Sequence, residues 1–125
     1  MNQVVNFPDG LPGFEGCRRF LLAAPDESAP FSILQSIDPP EPSFVVVDPS
    51  MVMKRYRTVL AQGDRARLGV EEDDDVVWLA IVTLDDDGSP SVNLRAPIVI
   101  NPRVMTGFQV MPHQSLYPLR HPLSL

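Results

Sequence analysis

Proline sets the limits on what this chain can fold into. Fourteen of its 125 residues are proline, about twice the ordinary share. They fall at Pro8, Pro12, Pro25, Pro30, Pro39, Pro40, Pro42, Pro49 and onward. A proline inside a helix removes a hydrogen bond and clashes with the preceding turn, so this spacing leaves room for short strands and little else. The length is that of one domain, and 44% of the residues are apolar, enough for one core without disulfides or metals. No apolar run approaches the ~20 residues of a membrane helix. The longest, Val76 to Val82, fits a buried strand. Met1 to Gly10 lacks the basic and apolar regions of a secretory signal.

The pattern between prolines predicts strands at Gln3 to Phe7, Arg19 to Ala23, Phe31 to Ile37 and Phe44 to Val47. Asp9 to Gly13 reads as a turn whose glycines permit positive φ. In the third strand Phe31, Ile33 and Ile37 share one face, with Gln35 the polar exception, and Ser32, Leu34 and Ser36 share the other. Val76 to Val82 is apolar on both faces, which places the strand Asp75 to Leu84 in the middle of the fold. Asp85 to Gly88 then turns the chain. Val92, Leu94, Ala96, Ile98 and Ile100 form a core face; Asn93, Arg95, Pro97, Val99 and Asn101 form the opposite one. Pro97 marks an edge, bulge or bend. Gly107 to Met111 reads as a last strand. Val52, Met53, Tyr56, Val59 and Leu60 fit one helical face, yet Tyr56 to Leu60 also fits a strand followed by a short helix from Gln62 to Gly69. The expected architecture is mostly β: a small, single-domain, barrel-like fold of short antiparallel strands with one short helix.

Chemistry is sparse. There is no nucleophile elbow, P-loop or dinucleotide fingerprint. Gly10 to Gly13 has no helix behind it to hold a phosphate. His113, His121 and the lone Cys17 are a poor supply for a zinc site. Cys17 cannot form an internal disulfide, so an oxidising compartment is not implied, and it reads as a small surface or strand residue. No nucleophile, base and orienting group can be named together, so the expectation is a non-enzyme without cofactor or metal. The net charge of −6 and pI of about 4.7 disfavour nucleic acid and bilayer phosphate and favour a basic partner.

Two acidic runs, Glu71 to Asp75 and Asp85 to Asp87, lack the alternation of a calcium loop. They are solvated loops or negative patches, and they lie at opposite ends of one predicted strand. Asn93 and Asn101 either cap local turns or face a partner. Gln35, if buried, needs hydrogen-bond partners, and its amide could hold an incoming strand. Met51, Val52 and Met53 are either core or a soft contact patch. The candidate partner-binding residues are therefore Gln35, Met53, Glu72, Asp73, Asp74, Asp85, Asp86, Asp87, Asn93 and Asn101.

Four blocks carry a more specific signal. They are Phe7-Pro8-Asp9-Gly10-Leu11-Pro12-Gly13-Phe14-Glu15, Leu34-Gln35-Ser36 with Phe44 to Pro49, Asn93-Leu94-Arg95-Ala96-Pro97-Ile98-Val99-Ile100-Asn101, and Tyr117 to Leu123. In this order and spacing the chain resembles the flagellar assembly factor FliW family along nearly its whole length. The resemblance implies a barrel-like β fold spanning residues 1–125 as one domain, located in the cytoplasm. It implies two partners, flagellin before export and CsrA, a basic RNA-binding repressor of flagellin translation. Freed of flagellin, such a protein binds CsrA outside its RNA-binding surface and relieves repression allosterically, with no direct contact to nucleic acid or membrane. The alternative is another β-barrel adaptor or export chaperone that does not bind CsrA. Members of the family carry more residues ahead of Phe7-Pro8, so a shortened N-terminal strand and an open barrel edge are expected. The chain also stops soon after the Tyr117 block.

Overall fold

The computed structural model describes residues 3–112 and 115–123. His113 lies outside them. Nine strands form one sheet: β1 (Gln3–Asn6), β2 (Arg19–Ala23), β3 (Phe31–Ser36), β4 (Ser43–Val47), β5 (Val77–Leu84), β6 (Pro90–Val92), β7 (Ile98–Asn101), β8 (Thr106–Gln109) and β9 (His121–Pro122). Between β4 and β5 lie two helices, α1 (Pro49–Val52) and α2 (Gln62–Leu68), where one was expected. A 3-10 turn covers Asp26–Ser28.

The order β1-β2-β3-β4-β5-β7-β8 closes on itself as a barrel, with β6 and β9 extending beyond β5. All pairings are antiparallel except the closing one, in which β1 meets β8 in parallel at the single position Asn6↔Thr106. This narrow seam is completed by packing. A Cβ on Gly107 would lie 2.9 Å from Phe7 Cε1 and 3.1 Å from Val99 O, so the absence of a side chain there is what admits the Phe7 ring.

One inward residue from each of six strands builds the interior: Val5, Phe20, Leu34, Val46, Leu79 and Ile98, joined by Phe7, Leu11, Cys17 and Ile100. Phe7 and Phe20 meet edge to face at 5.2 Å. Two further clusters lie outside the barrel. Tyr56 covers Val47, Ala80, Val92 and Leu94, and α2 brings Leu68 onto Val99 and Phe108. The strand β5 is thus apolar on both faces because it serves all three clusters, the interior through Leu79 and the outside through Ala80 and the half-buried Trp78.

Several expectations need correction. Cys17 is neither surface nor strand: it is 1% exposed in the loop before β2, with Sγ directed at the carbonyls of Asp38 and Pro39. In β3 the core residue is Leu34, while Ile33 is only half-buried and Ile37 is 41% exposed. The alternating stretch after Gly88 is two strands, because the chain bends between β6 and β7 just ahead of Pro97. The predicted last strand is β8, ending at Gln109, and β9 follows it to pair with β6. Tyr56 to Leu60 is neither helix nor strand but irregular chain. Its apolar spacing reflects packing: the Tyr56 hydroxyl donates to Leu94 O at 2.9 Å and its ring stacks on Tyr117 at 4.5 Å. The helix read from Gln62 is α2, stopped by Gly69 at φ 72°.

Candidate functional site

Among the described residues no three His, Cys, Asp or Glu side chains are grouped as metal ligands. The strand β5 organises the acidic candidates. Its eight residues span roughly 25 Å, which separates the two acidic runs. At the C-terminal end Asp85 to Ser89 forms a tight hairpin loop. Gly88 sits at φ 84°, its N–H donates to Asp85 O at 2.8 Å, and Asp85 N–H donates to Ser89 O at 2.8 Å. Asp87 Oδ1 accepts from Ser89 N–H at 2.9 Å, and Asp85 Oδ1 from Ser91 Oγ at 3.1 Å. The Ser89 hydroxyl and amide hold the Asp87 carboxyl below the usual range. Only Asp86 of this run is exposed with no side-chain partner among the described residues.

The run before β5 behaves differently. Asp74 Oδ2 accepts from Glu71 N–H at 2.8 Å and from Arg103 Nη2 at 3.0 Å, closing the loop. Glu72 and Asp73 are exposed and have no such partner among the described residues.

The remaining candidates serve their own chain. Gln35 Nε2 donates to the carbonyls of Ser36, Glu41 and Pro42, which ties the β3–β4 connection. Asn93 Oδ1 accepts from the N–H groups of Arg95 and Ala96, making the bend between β6 and β7. Asn101 is 2% exposed, donates to Leu68 O at 2.9 Å and accepts from Arg103 N–H at 3.0 Å, pinning α2 to the barrel. Met53 is half-buried against the Tyr56 cluster. Of the ten candidates, the structure brings together only those within each acidic run.

Two features were not read from the sequence. One is the clip between β2 and β3, where Asp38 accepts from Arg18 N–H and Arg19 N–H at 2.9 Å and from Arg19 Nη2 at 2.8 Å. The Arg19 guanidinium, with the two backbone donors, lowers the Asp38 carboxyl to about 2. The other is a groove beside the start of β5. Its first part, about 450 Å³, is lined by Asp48, Tyr56, Thr58, Val76 and Trp78; its second, about 380 Å³, continues past Val59 to Glu72 and Asp73. Pro49, two residues after the end of β4, was the available signal, since a proline cannot donate to the ladder and so cannot extend the pairing of β4 with β5.

The FliW protein family model matches residues 1–123. The chain belongs to the FliW family. The flagellar assembly factor FliW of Natranaerobius thermophilus is 36% identical, over 98% of this chain and 82% of that protein. The FliW of Geobacter sulfurreducens is 38% identical, over 96% and 76%. A solved structure, the crystal structure of the flagellar assembly factor FliW, superposes with a TM-score of 0.86 at 33% identity, covering 98% of this chain and 86% of that one.

The blocks that carry the FliW resemblance are architectural. Phe7 to Glu15 shapes the barrel seam, where a Cβ on Gly10 (φ 64°) would lie 2.5 Å from Phe14 O. Gln35, Asn93 and Asn101 hold connections, and the Tyr117 hydroxyl accepts Arg57 N–H at 2.8 Å to fasten the irregular segment. These contacts of the FliW blocks hold the barrel together, while the acidic runs Glu71 to Asp75 and Asp85 to Asp87 lie outside the blocks.

Proposed function

We propose that this protein is a cytoplasmic flagellar assembly factor that works by binding proteins and catalyses no reaction. It holds flagellin before export and, once released, binds CsrA outside the RNA-binding surface and lifts repression of flagellin translation. Membership of the FliW family over residues 1–123 carries the reading. Its acidic surface supports it: Glu72, Asp73 and Asp86 project into solvent and complement a basic partner. A standard interface buries about 800 Å² per partner, so area alone does not force the partners to exclude one another. Size-exclusion chromatography of the protein with purified flagellin and CsrA tests the switch. The expected result is two binary complexes, with CsrA displaced as flagellin is added. A stable ternary complex overturns the exchange, and capture of flagellin without CsrA turns the reading to an export chaperone alone.

A further inference from the structure

Backbone geometry at the start of β5 points to a strand-docking slot. Asn93 N–H donates to Ile81 O at 2.9 Å, so Ile81 faces β6. Strand alternation then turns Val77 and Leu79 toward β7, and Trp78, Ala80 and Val82 toward β4. Ala80 and Val82 are paired there, opposite Val47 and Val45. The same register would set Pro49 opposite Trp78. Pro49 has no N–H, and its carbonyl already accepts Met53 N–H at 2.9 Å inside α1. The N–H and C=O of Trp78 are thus left without a partner on that side among the described residues. Across the groove, the backbone of Thr58 and Val59 is likewise unpaired among the described residues. An exposed donor and acceptor at a sheet edge is a template for one more strand.

Charge selects the occupant. The groove is lined by five carboxylates, Asp48 and Glu71 to Asp74, of which Asp74 is already paired with Arg103, against two guanidiniums, Arg57 and Arg65. Both arginines already donate to carbonyls of the irregular segment, Arg57 to Tyr56 O and Arg65 to Leu60 O. We infer that this edge takes up an extended segment of another protein, one that alternates apolar with Lys or Arg residues and adds as a strand beside Trp78. The inference does not depend on which protein supplies the segment.

Trp78 is the only tryptophan, so its fluorescence reports on the slot directly. The test titrates the full chain with an acetylated, amidated octapeptide of alternating Val and Lys. A saturable change in Trp78 emission is expected, weakening as salt is raised. A Val/Glu octapeptide and a Val/Lys octapeptide N-methylated at alternate residues should each bind about tenfold more weakly, the second through loss of ladder hydrogen bonds. The double variant Glu72→Lys, Asp73→Lys, altered only at exposed side chains, should lose severalfold affinity while keeping the parent circular dichroism. No saturable change, or equal binding of the N-methylated peptide, overturns strand addition. Equal binding of the Val/Glu peptide overturns the charge assignment.

Discussion

At the C-terminal end of β5, Asp85 and Asp87 direct their carboxylates at Ser91 and Ser89; at the N-terminal end, Glu72 and Asp73 direct theirs at solvent. The two runs look alike in sequence. Their environments differ because one must reverse the chain within a few residues and the other crosses from α2 to β5 over a longer loop. A tight reversal leaves backbone donors that a nearby carboxylate can take. A longer loop needs only Asp74 to close it, and its other acids have no side-chain partner among the described residues. Pairing differs as well. In the middle of β5, Ala80 to Val82 pair with β4, and Val82 pairs with β6 as well, whereas Trp78 has no β4 partner among the described residues.

The comparison can be broken first at its hinge. Leu79, 8% exposed in the barrel interior, should cost about 2–5 kcal/mol as Leu79→Ala. Val77→Ala, two residues nearer the open end and 38% exposed, should cost less than about 1 kcal/mol. Urea unfolding of both variants measures the gap, and similar losses would show that the open end is as firmly packed as the middle.

The reversal itself is tested by Gly88→Ala. Nothing crowds a Cβ there, so the cost is the left-handed backbone at φ 84° alone, roughly 1–2 kcal/mol. A smaller effect is expected from the carboxylates. Asp87→Ala should lower the melting temperature and speed amide exchange at Ser89, while Asp73→Ala should leave both unchanged. Equal effects would erase the distinction between the runs. In binding to CsrA at low salt, Glu72→Gln with Asp73→Asn should slow association severalfold with little change in dissociation, since exposed charges act on encounter. Replacing Asp85 to Asp87 by Asn should slow it less, because Asp85 and Asp87 are engaged within their own loop.

The smallest effect is in pH. The ordinary aspartate value is 3.8, and that of Asp87 is lower in the folded chain. Its contribution is therefore present above 3.8 and disappears as pH falls through the folded value. Ser89 amide protection should decline over that interval. The Asp38 clip should persist until pH falls toward about 2. Carboxyl chemical shifts followed by NMR titration give both midpoints.

Most strand positions were legible because proline and glycine cut the chain into short apolar segments, whereas Tyr56 to Leu60, which fitted both a helix and a strand, is irregular chain held by packing. Candidate sites were less legible. Gln35, Asn93 and Asn101 stood out as polar residues among apolar neighbours, yet all three bond to their own backbone, a distinction that depends on which carbonyls and N–H groups come near. Cys17 carried no sign of its burial, since the carbonyls of Asp38 and Pro39 that meet it arrive from a distant turn.

By itself the sequence determined a mostly β chain of short strands, the apolar alternation that fills a barrel, the two acidic turns, and membership of the FliW family. These rest on local properties: the fixed φ of proline, the two-residue period of a strand, and the order of short blocks. Tertiary structure alone decided that β1 and β8 meet at one position and that Phe7 fills the space above Gly107. It also decided that the pairing of β4 with β5 stops at Val47↔Ala80, short of Trp78. Each of these is set by the register between segments far apart in the chain, and register is fixed only when the whole barrel closes.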